Sequence, residues 1–159
     1  MNRRWDILRA NRGAERFFGF LLGDRAGEPA NVVRLMFSPA GLRPFVVNWE
    51  AVAEALLRRI QRESVGGVRD DATLKLVDEV LGYPGVPSRW REPSLLAALT
   101  PIIPVSFRKD GKSFDYFSTV TTLGTPQDIT LQEIRIECFF PVDEGTERGA
   151  RELESGGRY

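Results

Sequence analysis

The sequence predicts an α+β fold, with helices first and an antiparallel sheet after them, on three observations. Apolar residues recur at helical spacing as far as Leu81, the period changes to two from Ile103, and Asp110-Gly111 punctuates the second half with a hairpin signal. This order is that of several helices packed on one face of a short antiparallel meander.

The elements follow in order. Trp5 to Ala10 reads as a modest strand, and Asn11-Arg12-Gly13 as a turn into a helix carrying Ala14, Phe17, Phe18, Leu21 and Leu22, with Gly23 as its stop. Asp24 to Pro29 reads as an exposed loop. Asn31 to Phe37 is a short helix ended by Ser38-Pro39, because the residue before a proline avoids the α region. The next helix has Asn48 as N-cap, Val47 and Val52 as a hydrophobic staple, and Trp49, Val52, Ala53, Leu56, Leu57 and Ile60 as its apolar stripe. Glu54 and Arg58 form an i,i+4 pair on its solvated side, and Gly66-Gly67 ends it. Asp70 or Asp71 opens a further helix that buries Leu74, Val77, Val80 and Leu81 and stops at Gly82 and Pro84.

Between Tyr83 and Pro104 prolines dominate, so this stretch reads as loop with one helical turn at Ser94 to Leu99. Ile103, Val105 and Phe107 then alternate with small or polar neighbours. After the Asp110-Gly111 turn, Phe114, Tyr116 and Ser118 alternate against Phe117, Thr119 and Thr121. Gly124-Thr125-Pro126 makes the next turn. The last strand, Thr130 to Phe140, reads with Ile134, Ile136 and Cys138 inward and Glu133, Arg135 and Glu137 outward. Residues 143–159 carry hardly an apolar side chain and read as a disordered tail behind a domain of residues 1–142.

Composition removes whole chemistries. The 159 residues include no histidine and one cysteine, which excludes Ser-His-Asp and Cys-His nucleophile systems, histidine zinc sites and an internal disulfide within this chain. With 42% hydrophobic and 28% charged residues, this is the composition of a soluble globular domain. The formal charge is zero, which is not the footprint of a stand-alone nucleic-acid binder. The absence of a basic-then-apolar leader predicts a cytoplasmic protein with no membrane attachment. No set of residues meets the requirement for a nucleophile, an oriented base and an oxyanion donor, so an enzyme is not expected and no cofactor is called for.

Asn11-x-x-Ala14-x-x-Phe17-Phe18-Gly19 after a strand resembles the start of a PAS domain. More specific are Asn31-Val-Val-Arg34-Leu35-x-Phe37, Val47-Asn48-Trp49, the stretch Phe117 to Leu131 with Gly124, Pro126 and Asp128, and Ile136-x-x-Phe139-Phe140-Pro141. Together these resemble the MmyB-like ligand-binding domain of bacterial XRE-type helix-turn-helix transcription regulators, over about Trp5 to Val142. The resemblance implies a PAS-like regulatory domain that senses a small apolar or fatty-acid-like ligand. It implies DNA contact only through a helix-turn-helix segment N-terminal to Met1. In the family a short apolar strand precedes the residues matching Asn2 to Trp5, so one sheet edge is expected to be short or open to another chain.

The residues expected to line a ligand cavity are Phe17, Phe18, Leu35, Phe107, Tyr116, Phe117, Ile134 and Ile136, each of which reads equally as core packing. Arg34, in an otherwise apolar helix, offers a guanidinium fork to a ligand carboxylate, or a salt bridge to an acid of the protein. Cys138 reads as a buried, inert thiol. The alternative to a sensor is an unliganded PAS-like dimerisation or protein-interaction module, and a homodimer is compatible with both.

Overall fold

The computed structural model describes residues 1–23, 30–66, 71–92, 102–123 and 134–156. Five α-helices and a three-stranded antiparallel sheet follow one another as α1 (Arg12–Leu22), α2 (Val32–Phe37), α3 (Trp49–Gly66), α4 (Asp71–Leu81), β1 (Ile103–Lys109), β2 (Lys112–Leu123), β3 (Ile134–Pro141) and α5 (Glu144–Glu154). Short 3-10 turns stand at Arg43–Phe45 and Ser88–Arg91. The expected loop at Asp24 to Pro29, the helical turn at Ser94 to Leu99, the turn at Gly124-Thr125-Pro126 and the first residues of the last strand lie outside the described residues.

The helices form where the periodicity places them, and side-chain caps fix their starts. Asn11 accepts from the Ala14 amide at 2.8 Å, and Asn31 accepts from Val33 and Arg34 at 3.1 and 3.2 Å. The stripe of α3 from Trp49 to Ile60 is buried throughout. Asn48 departs from its expected role. It spends its amide on β1, donating to the Pro104 carbonyl at 3.0 Å and accepting from the Ser106 amide at 3.0 Å. The side chain thereby acts as a short piece of strand on the β1 edge, next to the Val47 amide that donates to Ser106 O at 2.8 Å. Val47 is 58% exposed, so the expected staple with Val52 does not form. On α4 the buried stripe is Thr73, Leu76, Val77, Val80 and Leu81, and Leu74 lies on the open side. The face is set by where α2 and α3 meet α4, one step around the helix from the expected line.

β1 and β2 are joined at Asp110-Gly111, where both residues have positive φ, 49° and 74°, as a two-residue primed turn requires. The turn fixes the register, pairing Phe107 with Phe114 and Val105 with Tyr116. All four side chains are buried, and the Phe17 ring of α1 meets those of Phe107, Phe114 and Tyr116 edge-on at 5.2 to 5.3 Å.

Three further expectations are corrected. Trp5 to Ala10 is not a strand but a single bridge, Asp6 to Asn31. Asn2 draws the Arg4 and Asp6 amides onto its side-chain oxygen at 2.9 and 3.0 Å, and this local turn competes with a sheet ladder. Trp5 follows at φ 67° with its ring buried.

The last strand presents the opposite face to the one expected. Pairing with β2 sets Phe139 opposite Ser118, Glu137 opposite Val120 and Arg135 opposite Thr122, all on the helix side, and leaves Ile134, Ile136, Cys138 and Phe140 on the outer side. The contacts that hold this register are Phe139 with Phe18 and Tyr116, at 5.8 and 6.1 Å, and Arg135 over the Trp5 ring at 4.7 Å. Cys138 is therefore exposed rather than buried.

Lastly, the expected disordered tail begins with α5. Asp143 caps it, accepting from the Thr146 amide at 2.7 Å, and Leu153 and Thr146 are buried. Gly149 packs so closely on Phe114 that a Cβ there would lie 2.9 Å from the ring.

Candidate functional site

The inner face of the sheet changes character along its length. Under α1 and α5 it is aromatic, with Phe107, Phe114, Tyr116 and Phe139; beyond Tyr116 it becomes Ser118, Val120, Glu137, Thr122 and Arg135. Ser118 and Arg135 are buried, at 4% and 7% exposure. A small hydroxyl and two opposite charges thus stand where a sheet covered by helices would ordinarily carry aliphatic side chains.

Glu137 is the chemically distinctive group here. Burial pushes its carboxyl above the usual carboxylate range, against the opposing effects of the Ser118 hydroxyl bonded to it, Arg59 of α3 and the terminal ammonium of Met1. Met1 reaches this end of the sheet because its ammonium donates to Arg135 O at 2.8 Å and its carbonyl accepts from the Arg135 amide at 2.9 Å. Met1 thereby meets the free edge of β3 at Arg135. Tyr116 is the second perturbed group: desolvation alone pushes its hydroxyl up to about 12, and among the described residues that hydroxyl has no hydrogen-bond partner.

The nine residues singled out from sequence fall into three groups. Phe17, Phe107 and Tyr116 meet in the aromatic layer, with Phe18 and Leu35 partly buried against the same core. Arg34 is on the surface, its Nε and Nη2 donating to Glu79 at 2.8 and 2.7 Å, and Tyr83 donates to the same carboxylate at 2.9 Å. That pairing takes up the guanidinium fork and draws the Glu79 carboxyl below its usual value. Phe117, Ile134 and Ile136 lie on the outer face of the sheet. There Phe117 stacks on Phe140 at 5.0 Å, while Leu123, Ile134, Ile136 and Phe140 are 38 to 45% exposed. The nine thus stand in the aromatic layer, at the surface beside Glu79 and on the outer face of the sheet, not in one cluster.

Sequence reading missed Ser118, Glu137 and Arg135 as site residues. The alternation of the last strand marked Arg135 and Glu137 as outward, and Ser118 was read only as the continuation of the Phe114 and Tyr116 face of β2. Among the described residues there is no cluster of acidic or cysteine side chains able to hold a metal ion, and no helix long and apolar enough to cross a membrane.

A family model described as the MmyB-like transcription regulator ligand binding domain matches residues 1–153, which takes in most of α5. No curated protein and no solved structure matches the chain.

Proposed function

The chain belongs to the family of MmyB-like transcription regulator ligand binding domains, and from that membership we propose that it senses a small apolar or fatty-acid-like ligand on the inner face of its sheet. The observation that carries the reading is Glu137, an ionisable group turned into an apolar layer, with its pKa raised by burial and an aromatic wall beside it. Perturbed titratable groups beside apolar walls concentrate at binding sites. Phe18, Tyr116 and Phe139 would take the apolar body. The carboxyl of Glu137, protonated more readily than an ordinary glutamate, would donate to a ligand carboxylate beside Arg59, so binding strengthens as the pH falls.

The partner of such a sensor would be a helix-turn-helix segment of the XRE type. The ligand acts on such a partner only by favouring one of two arrangements of the domain. The test is organic extraction of the purified protein with mass spectrometry, and calorimetric titration of a delipidated sample with dodecanoate. A stoichiometric acyl ligand that is restored on addition, and whose affinity rises as pH falls in the parent but not in Glu137→Gln, is expected. No bound ligand and no heat of binding would remove the reading.

A second reading is favoured by the outer sheet face, which would pair with a second copy of the chain. From Phe117 to Leu123 and from Ile134 to Phe140 this face carries no charged side chain among the described residues. At about 4.8 Å between strands and about 3.3 Å per residue, two such two-stranded faces would cover roughly 450 Å² in all, which fits only a weak, transient pairing. Sedimentation should then show a weak dimer that Ile136→Asp abolishes; a monomer at all concentrations would refute it.

A further inference from the structure

We infer that the junction of α3 with the turn Ser88–Arg91 is a second binding site, one that takes a carboxylate with an apolar body. Trp90 is 4% exposed, with its ring 5.7 Å from that of Trp49 and 6.3 Å from that of Phe37. Its Nε1–H is buried and has no hydrogen-bond partner among the described residues. The neighbouring indole shows that this is not general to the cluster, because Trp49 Nε1 donates to Met36 O at 2.8 Å. Buried donors in native proteins are nearly always satisfied, by protein or by ordered water, so this exception marks a place that a further acceptor can fill.

A second orphan lies on the flank of α3 that faces this turn. Arg58 gives Nη2 to Glu54, whereas its Nη1 is buried and unpartnered. Arg58 precedes Gln61 by three residues, which puts the two side by side on the helix, and Gln61 Nε2 donates to Trp90 O at 3.3 Å. Both unsatisfied atoms are donors, and one belongs to a guanidinium. A group that presents only acceptors and a negative charge completes them, and a carboxylate matches a guanidinium edge together with an indole N–H. The Trp49, Trp90 and Phe37 rings supply an apolar wall, which selects an aromatic or aliphatic acid over a bare inorganic anion.

This site involves none of the inner-face residues and stands or falls independently of the reading given for Glu137. The experiment follows the indole N–H resonances of Trp5, Trp49 and Trp90 in ¹⁵N-labelled protein during titration with benzoate and, separately, with inorganic phosphate. Trp90→Phe assigns the resonance. With benzoate the Trp90 signal is expected to move downfield saturably while that of Trp49 stays, and Arg58→Gln is expected to weaken the response at least tenfold. Arg58 is partly exposed, so this variant keeps the fold even where Trp90→Phe disturbs it. A Trp90 resonance indifferent to benzoate overturns the site; an equal response to phosphate overturns the carboxylate assignment.

Discussion

The ionised form of Glu137 is disfavoured by burial in the folded protein. Its folded-state pKa lies above the unfolded value, so the native protein holds the extra proton between the two and stability falls as pH rises through that window. Below the unfolded value of about 4.5 the penalty is absent; above the folded value it is fully present. Glu137→Gln keeps an acceptor for the Ser118 hydroxyl and has no charge to desolvate. It should be more stable than the parent by about 1 kcal/mol at pH 7.5, a rise of roughly 2–4 °C in Tm, and equal to it at pH 4. Thermal unfolding at the two pH values checks this. Glu79 runs the other way. Arg34, then Tyr83, holds its carboxyl low, so its contribution is present above the unfolded pKa and lost as pH falls through the folded one. The pair is exposed, and Arg34→Ala should cost no more than about 1 kcal/mol while leaving dodecanoate affinity unchanged. A tenfold loss of affinity in a titration of that variant would restore Arg34 to the ligand.

At the scale of the element, α5 is the informative case, since it carries little apolar surface and yet closes the aromatic layer. Asp143 caps it, Thr146 accepts from the Asp115 amide at 3.0 Å, and Gly149 and Leu153 bring it against the core. Asp143→Ala should cost about 1 kcal/mol through the lost cap, and Gly149→Val about 1–3 kcal/mol through the clash with Phe114. Chemical denaturation of both variants measures this, and two neutral substitutions would show that the helix does not contribute. Helix positions, the hairpin and the aromatic face of β2 were legible in the sequence because each rests on a local period or a turn residue. The face of β3 was not, because alternation defines two faces and only the pairing register decides which of them meets the helices. Helix α5 was hidden because its signals are polar: an aspartate cap, Glu144 and Glu147 in the first turn, and Arg151 in the last. For the same reason the aromatic half of the candidate site was readable, whereas Ser118, Glu137 and Arg135 acquire their meaning only from burial.

On the scale of the whole molecule, strands β2 and β3 separate the two surfaces proposed for recognition. Ser118, Glu137 and Phe139 face the helices, while their immediate neighbours Phe117, Thr119, Cys138 and Phe140 face outward on the same two strands. Any shift of these strands that admits a ligand on one side therefore reshapes the other. If both proposals hold, ligand binding and self-association are linked, and the factor by which ligand changes the dimer constant equals the factor by which dimerisation changes ligand affinity. Allosteric couplings of this kind typically amount to about 1–3 kcal/mol, a change of roughly 5- to 150-fold. Sedimentation of the protein with and without saturating dodecanoate should show a shift of at least fivefold in the dimer dissociation constant. Titration of dodecanoate at protein concentrations above and below that constant should return the same factor. Cys138 offers an independent readout, since it is exposed on the outer face and is the single cysteine of the chain. Its rate of oxidation to an intermolecular disulfide should change with ligand in the same direction as the dimer population. Equal dimer constants in both samples would mean that the sheet moves as a rigid plate and that its two faces are not linked.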